Sequence, residues 1–159
     1  MNLLEQMKKY TFMVADTSDF ERLHTYQAKD ATTNPTLILR AAKLPSYAHL
    51  IDEIKSTYAD LTIDEKMDHL LVRFGMEILK IIPGRVSTEI DADLSFNIED
   101  SVNRARKIID LYQANGIGKD RVLIKIAATW EGIQSAKILE TEGIHCNLTL
   151  VFNLPQALA

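Results

Sequence analysis

The chain has 159 residues, a hydrophobic fraction of 47% and a charged fraction of 25%, the profile of one ordinary globular domain over residues 1–159. A net charge of −4 lacks the basic stripe that phosphate-backbone binding needs, so no nucleic-acid partner is expected. No apolar run reaches the roughly 20 residues of a bilayer span. Met1 to Lys9 lacks the basic-then-apolar order of a signal peptide, and Cys146 alone can form no internal disulfide. The expected setting is a reducing cytoplasm, with no membrane partner.

Short strand-like runs alternate with helical stretches. The first run is Thr11 to Thr17, with Ser18 or Asp19 as N-cap for a helix over Phe20 to Ala28. A strand over Asp30 to Thr33 stops at Asn34-Pro35, and Pro35 suits the first turn of a helix over Thr36 to Ala42. After Leu44-Pro45-Ser46, Tyr47 to Tyr58 reads as helix. Thr62 with Glu65 has the capping-box pattern for a long amphipathic helix reaching Ile82, which Pro83-Gly84 ends. A third strand follows over Val86 to Ile90. Asn97 is placed to cap a helix from Ile98 to Ala114, with Asn115-Gly116 as its C-terminal signal. The clearest strand is Val122 to Ala128. Thr129 caps its helix, which runs to Glu142 before Gly143. A fifth strand over Cys146 to Phe152 precedes Asn153-Leu154-Pro155 and the start of another helix.

Five strand–helix alternations imply an α/β fold with a parallel sheet, either a (β/α) barrel or an open doubly wound sheet. No Gly-x-Gly-x-x-Gly or Walker-type loop follows any strand, which removes support for nucleotide binding.

Lys125 is the informative residue. It interrupts an otherwise apolar run of the kind found in strands buried on both faces. Alternation puts Leu123, Lys125 and Ala127 on one face, and Val122, Ile124, Ile126 and Ala128 on the other. Burial disfavours the charged amine, and a neutral amine can attack a carbonyl to form a Schiff base. The competing readings are a lysine on an edge strand or one paired with a buried carboxylate. The other strands repeat the pattern: Asp16 shares a face with Phe12 and Val14, Glu89 with Ser87, Thr32 with Asn34, and Asn147 with Thr149 and Val151. In a barrel this polar parity faces the interior, with the active site at the C-terminal mouth. Any one of these polar groups, taken singly, also suits a helix cap or a solvated loop.

Three segments resemble the transaldolase family in order and spacing: Val14-Ala15-Asp16-Thr17, Asp30-Ala31-Thr32-Thr33-Asn34-Pro35 and Val86-Ser87-Thr88-Glu89-Ile90-Asp91-Ala92. The run from Val122 through Lys125 to Gly132 is similar to the family's active-site signature, and Cys146-Asn147-Leu148-Thr149-Leu150 to its fifth-strand motif. The resemblance implies a TIM-type (β/α) barrel, here about five of eight strands and a chain cut short at its C-terminus, since such barrels take about 250 residues. It also implies the transfer of a dihydroxyacetone unit from a ketose phosphate to an aldose phosphate in the pentose phosphate pathway. Lys125 would be the nucleophile, Asp16 the proton carrier at the C4 hydroxyl, and Glu89 a proton relay through a water held by Thr149. Asn34, Asn147 and Thr32 would contact the retained three-carbon unit. The implied partners are sugar phosphates, with no metal and no organic cofactor.

The family's phosphate-binding arginines lie beyond the fifth strand, so if the 159 residues are the whole product, weak affinity for phosphorylated sugars and Schiff-base competence at best are expected. A non-catalytic half-barrel or interaction protein is the alternative. Other Schiff-base aldolases, such as the dehydroquinase type, fit the lysine segment less well. Open strand edges predict self-association into a homo-oligomer. The remaining residues have structural readings. Cys146 is a small buried apolar group, His145 a loop residue, and His24, His49 and His69 lie on separate helices without metal spacing. Trp130 is expected to pack, and Tyr112 with Arg104, Arg106 and Lys107 to form a solvated helix face. Asp93 and Asn153-Leu154-Pro155 depart from the family pattern without removing a catalytic group.

Overall fold

The computed structural model describes residues 2–17 and 19–159; Ser18, one of the two expected caps, lies outside the described residues, as do the side chains of Glu21 and Arg22. Five parallel strands run β1 (Val14–Asp16), β2 (Asp30–Thr32), β3 (Val86–Glu89), β4 (Val122–Ala127) and β5 (Cys146–Thr149), hydrogen-bonded in that order. A doubly wound sheet would reverse its strand order at a switch point. This sheet never does, so it is a curled half-barrel of TIM type, as the sequence implied.

Eight α-helices are seen among the described residues: α1 (Leu3–Met7), α2 (Glu21–Tyr26), α3 (Pro35–Ala42), α4 (Ala48–Thr57), α5 (Ile63–Leu79), α6 (Ile98–Ala114), α7 (Trp130–Thr141) and α8 (Leu154–Leu158). The caps explain where several begin. Asn34, Thr62, Asn97, Thr129 and Asn153 each accept a backbone N–H of the first turn they precede, and Thr62 and Glu65 complete the expected capping box. The first strand and helix are shorter than expected. Phe20 holds the cap position of α2 without a side-chain bond of its own, and Gln27, left-handed at φ 48°, ends the helix. Helix α1 had no sequence forecast; Asn2 and Glu5 close a capping box there too. Strand β5 stops three residues early because Leu150 turns left-handed at φ 61°.

The core lies between the convex face of the sheet and the helices. Val86, Val122, Ile124 and Ile126 are buried there with Ile78, Ile108, Ile109 and Leu139. Helix α5 packs on β3 and α6, and α7 on β4, β5 and α6. Tyr112 is fully buried, and its hydroxyl meets Thr88 Oγ1 at 2.7 Å. The sequence placed Tyr112 on a solvated face; the groove over Gly75 takes its ring instead, since a Cβ there would lie 1.8 Å from the hydroxyl oxygen. Arg104 is likewise drawn inward, pairing at 2.5 Å with Asp68, which is buried, while Lys107 reaches the same carboxylate at 3.3 Å. Arg106 does stay on the surface, paired with Glu142. No helix among the described residues is long and apolar enough to cross a membrane.

Candidate active site

The concave face carries the polar parity. Along β4 the burial alternates strictly: Val122, Ile124 and Ile126 are buried under helices, whereas Leu123, Lys125 and Ala127 are half-buried on the inner side. Strands β3 and β5 flank β4, so Lys125 is on a central strand and the edge-strand reading falls. The register sets Glu89 and Asn147 directly beside it, one on each neighbour. Side chains one register apart on a parallel pair meet on the same face.

The Lys125 amine is held by two acceptors. Glu89 Oε2 lies 3.3 Å away, with the two side chains 13% and 20% exposed, and the carbonyl of Thr33 accepts at 3.3 Å. The lysine is therefore paired with a carboxylate, as one competing reading required, but the pair lines the open concave face instead of being sealed in the core. Mostly screened from water, the amine has a carboxylate within reach as a proton-transfer partner, the arrangement that amine chemistry at a carbonyl needs.

Asn147 donates from Nδ2 to Ser87 Oγ at 3.0 Å. The register puts Thr32 beside Ser87, and Asp16 beside Thr32. Thr32 Oγ1 is buried and has no hydrogen-bond partner among the described residues. An orphaned buried hydroxyl costs about 1–3 kcal/mol, which a ligand contact can offset. Asn34 Oδ1 accepts the Leu37 N–H at 2.9 Å, which turns its amide nitrogen into the donor available to a ligand. Thr149 lies level with Ala127, one inward position beyond Lys125. Asp16 sits exposed at the end of edge strand β1, a full inward row below Lys125 by register.

The structure thus brings Lys125, Glu89 and Asn147 into one row, and puts Thr32 and Asp16 in the row below. Two contributors had no sequence forecast as site residues. Thr33 acts through a main-chain carbonyl, which leaves no mark in a sequence; Ser87 could have been found from its shared parity with Glu89. Trp130, expected to pack, is 66% exposed at the first turn of α7. Glu89 also borders a cavity of about 260 Å³ whose walls include Pro35, Met67, Leu71 and Arg104. Among the described residues no cluster of three or more His, Cys, Asp or Glu could hold a metal.

Fold and site together define a (β/α)-barrel-type chain with an inward-facing lysine–carboxylate pair. The family model described as Transaldolase/Fructose-6-phosphate aldolase matches residues 13–159, and the chain belongs to that family. It is 54% identical over 167 residues to a transaldolase of Prochlorococcus marinus, covering 99% of this chain and 50% of the relative. A transaldolase of a Shewanella species is 55% identical over 164 residues, covering 99% and 52%. A probable transaldolase of Dictyostelium discoideum is 56% identical over 165 residues, covering 99% and 51%. The chain spans about half the length of the curated relatives it matches.

Proposed function

We propose that the chain carries the Schiff-base half of a transaldolase site, moving a dihydroxyacetone unit from a ketose phosphate to an aldose phosphate in the pentose phosphate pathway. The observation that carries this reading is the Lys125–Glu89 contact at 3.3 Å on the concave face. Lys125 Nζ attacks C2 of fructose 6-phosphate or sedoheptulose 7-phosphate to give a carbinolamine. Glu89 takes the amine proton and, through a water near Thr149, returns one to the departing hydroxyl, so that water leaves and a protonated imine forms. Asp16 removes the proton of the C4 hydroxyl; the C3–C4 bond then breaks, its electrons pass into the imine, and an aldose phosphate departs. The enamine attacks a second aldose phosphate, and the steps reverse to release the new ketose. The free hydroxyl of Thr32, the amide nitrogen of Asn34 and the carboxamide of Asn147 contact the retained unit.

Borohydride reduction with fructose 6-phosphate tests the reading. It should leave a reduced three-carbon adduct on Lys125, read by intact mass and peptide mapping, and the adduct should be absent from Lys125→Met. A folded sample with unmodified mass supports the non-catalytic alternative.

A further inference from the structure

One inner-face hydroxyl has no part in the chemistry above. Ser87 is 3% exposed, and its Oγ accepts the Asn147 Nδ2 proton at 3.0 Å. Its carbonyl takes two further bonds from Thr33, one from the N–H at 3.0 Å and one from Oγ1 at 2.9 Å. Thr33 in turn offers its own carbonyl to the Lys125 amine at 3.3 Å. Ser87 therefore joins two groups that flank the lysine: the Thr33 carbonyl just past the end of β2 and the Asn147 carboxamide from β5. Asn147 needs that support. It lies on an edge strand, is only half-buried, and an unrestrained carboxamide turns freely about its terminal torsion.

We propose that Ser87 is a positioning residue, its hydroxyl fixing the Asn147 carboxamide so that Oδ1 remains as the acceptor for a hydroxyl of the imine-bound three-carbon unit. Committing one Nδ2 proton to Ser87 sets which end of the amide faces the ligand. The inference rests on the proposed Schiff-base reading, and acts through Asn147 alone.

The test is a double-mutant cycle on the rate of borohydride trapping at limiting fructose 6-phosphate, using Ser87→Ala, Asn147→Ala and the pair together. Ser87→Ala should trap about tenfold more slowly than the parent chain, the size expected when a group that orients a reactant is freed. The double variant should be no slower than Asn147→Ala alone, because a group acting only through Asn147 has nothing left to position. A purely structural role for Ser87 would instead slow both backgrounds by the same factor, and that result overturns the proposal. So does parent-rate trapping by Ser87→Ala. Circular dichroism checks folding; if the alanine variant does not fold, Ser87→Cys, of similar shape but a weak acceptor, is read in its place. No adduct on the unaltered chain would sink the proposed function and this inference with it, whereas an adduct formed equally well by Ser87→Ala sinks only the inference.

Discussion

In the proposed reaction Lys125 and Glu89 divide one problem between them. The amine must be neutral to attack and the departing hydroxyl must be protonated to leave, so a carboxylate 3.3 Å from the nitrogen serves both needs. Glu89→Gln keeps the shape but cannot shuttle the proton; borohydride trapping should slow about a hundredfold, measured as adduct per unit time. Cys146 gives a prediction in the opposite chemical sense. Burial, with the Glu140 carboxylate nearby, pushes its thiol up from 9.0 to about 12. The folded chain thus holds a proton that the unfolded chain releases. The stabilisation from the neutral thiol is complete below pH 9 and is lost as the pH climbs toward 12. Iodoacetamide at pH 9 should therefore alkylate Cys146 on the order of a hundredfold more slowly in the folded chain than in urea.

At the scale of elements, caps were legible and edges were not. Thr62, Asn97 and Thr129 mark helix starts because a side-chain oxygen one residue before the first turn satisfies an otherwise unpaired N–H, a strictly local event. Thr62→Ala should cost about 1 kcal/mol, a fall of roughly 3 °C in Tm by calorimetry. Strand lengths depend on neighbours, so β1 and β5, each paired on one side, came out shorter than their apolar patterns. Tyr112 and Arg104 were misread for the same reason. Helix α6 has polar residues along much of its length, and only the approach of Gly75 and Asp68 on α5 shows which of them turn inward. Gly75→Ala should force the Tyr112 ring from its place and cost about 1–3 kcal/mol in a urea titration.

At the scale of the molecule, β1 and β5 are the end strands of the sheet, each paired on one side among the described residues. Phe12 is 71% exposed and Phe152 81%, with Val14, Leu150 and Val151 exposed near the same two edges. Apolar exposure beside unpaired strand backbone favours association. Sedimentation velocity of the 159-residue chain should show a mean mass that rises with concentration; a single monomer boundary throughout would count against it.

Much of the fold and most of the candidate site were in the sequence. Two-residue alternation along β4 is a local property of the chain, so it placed Lys125 on the inner face before any neighbour was known. The same parity selected Glu89 and Asn147, and the order of strands and helices implied a parallel sheet. Register is not local. Only the assembled sheet decided that Glu89 and Asn147 stand level with Lys125, that Asp16 lies a row below, and that Thr33 and Ser87 join the group. Those pairings link residues as many as 92 positions apart, and such contacts are fixed by helix packing and strand alignment across the whole core.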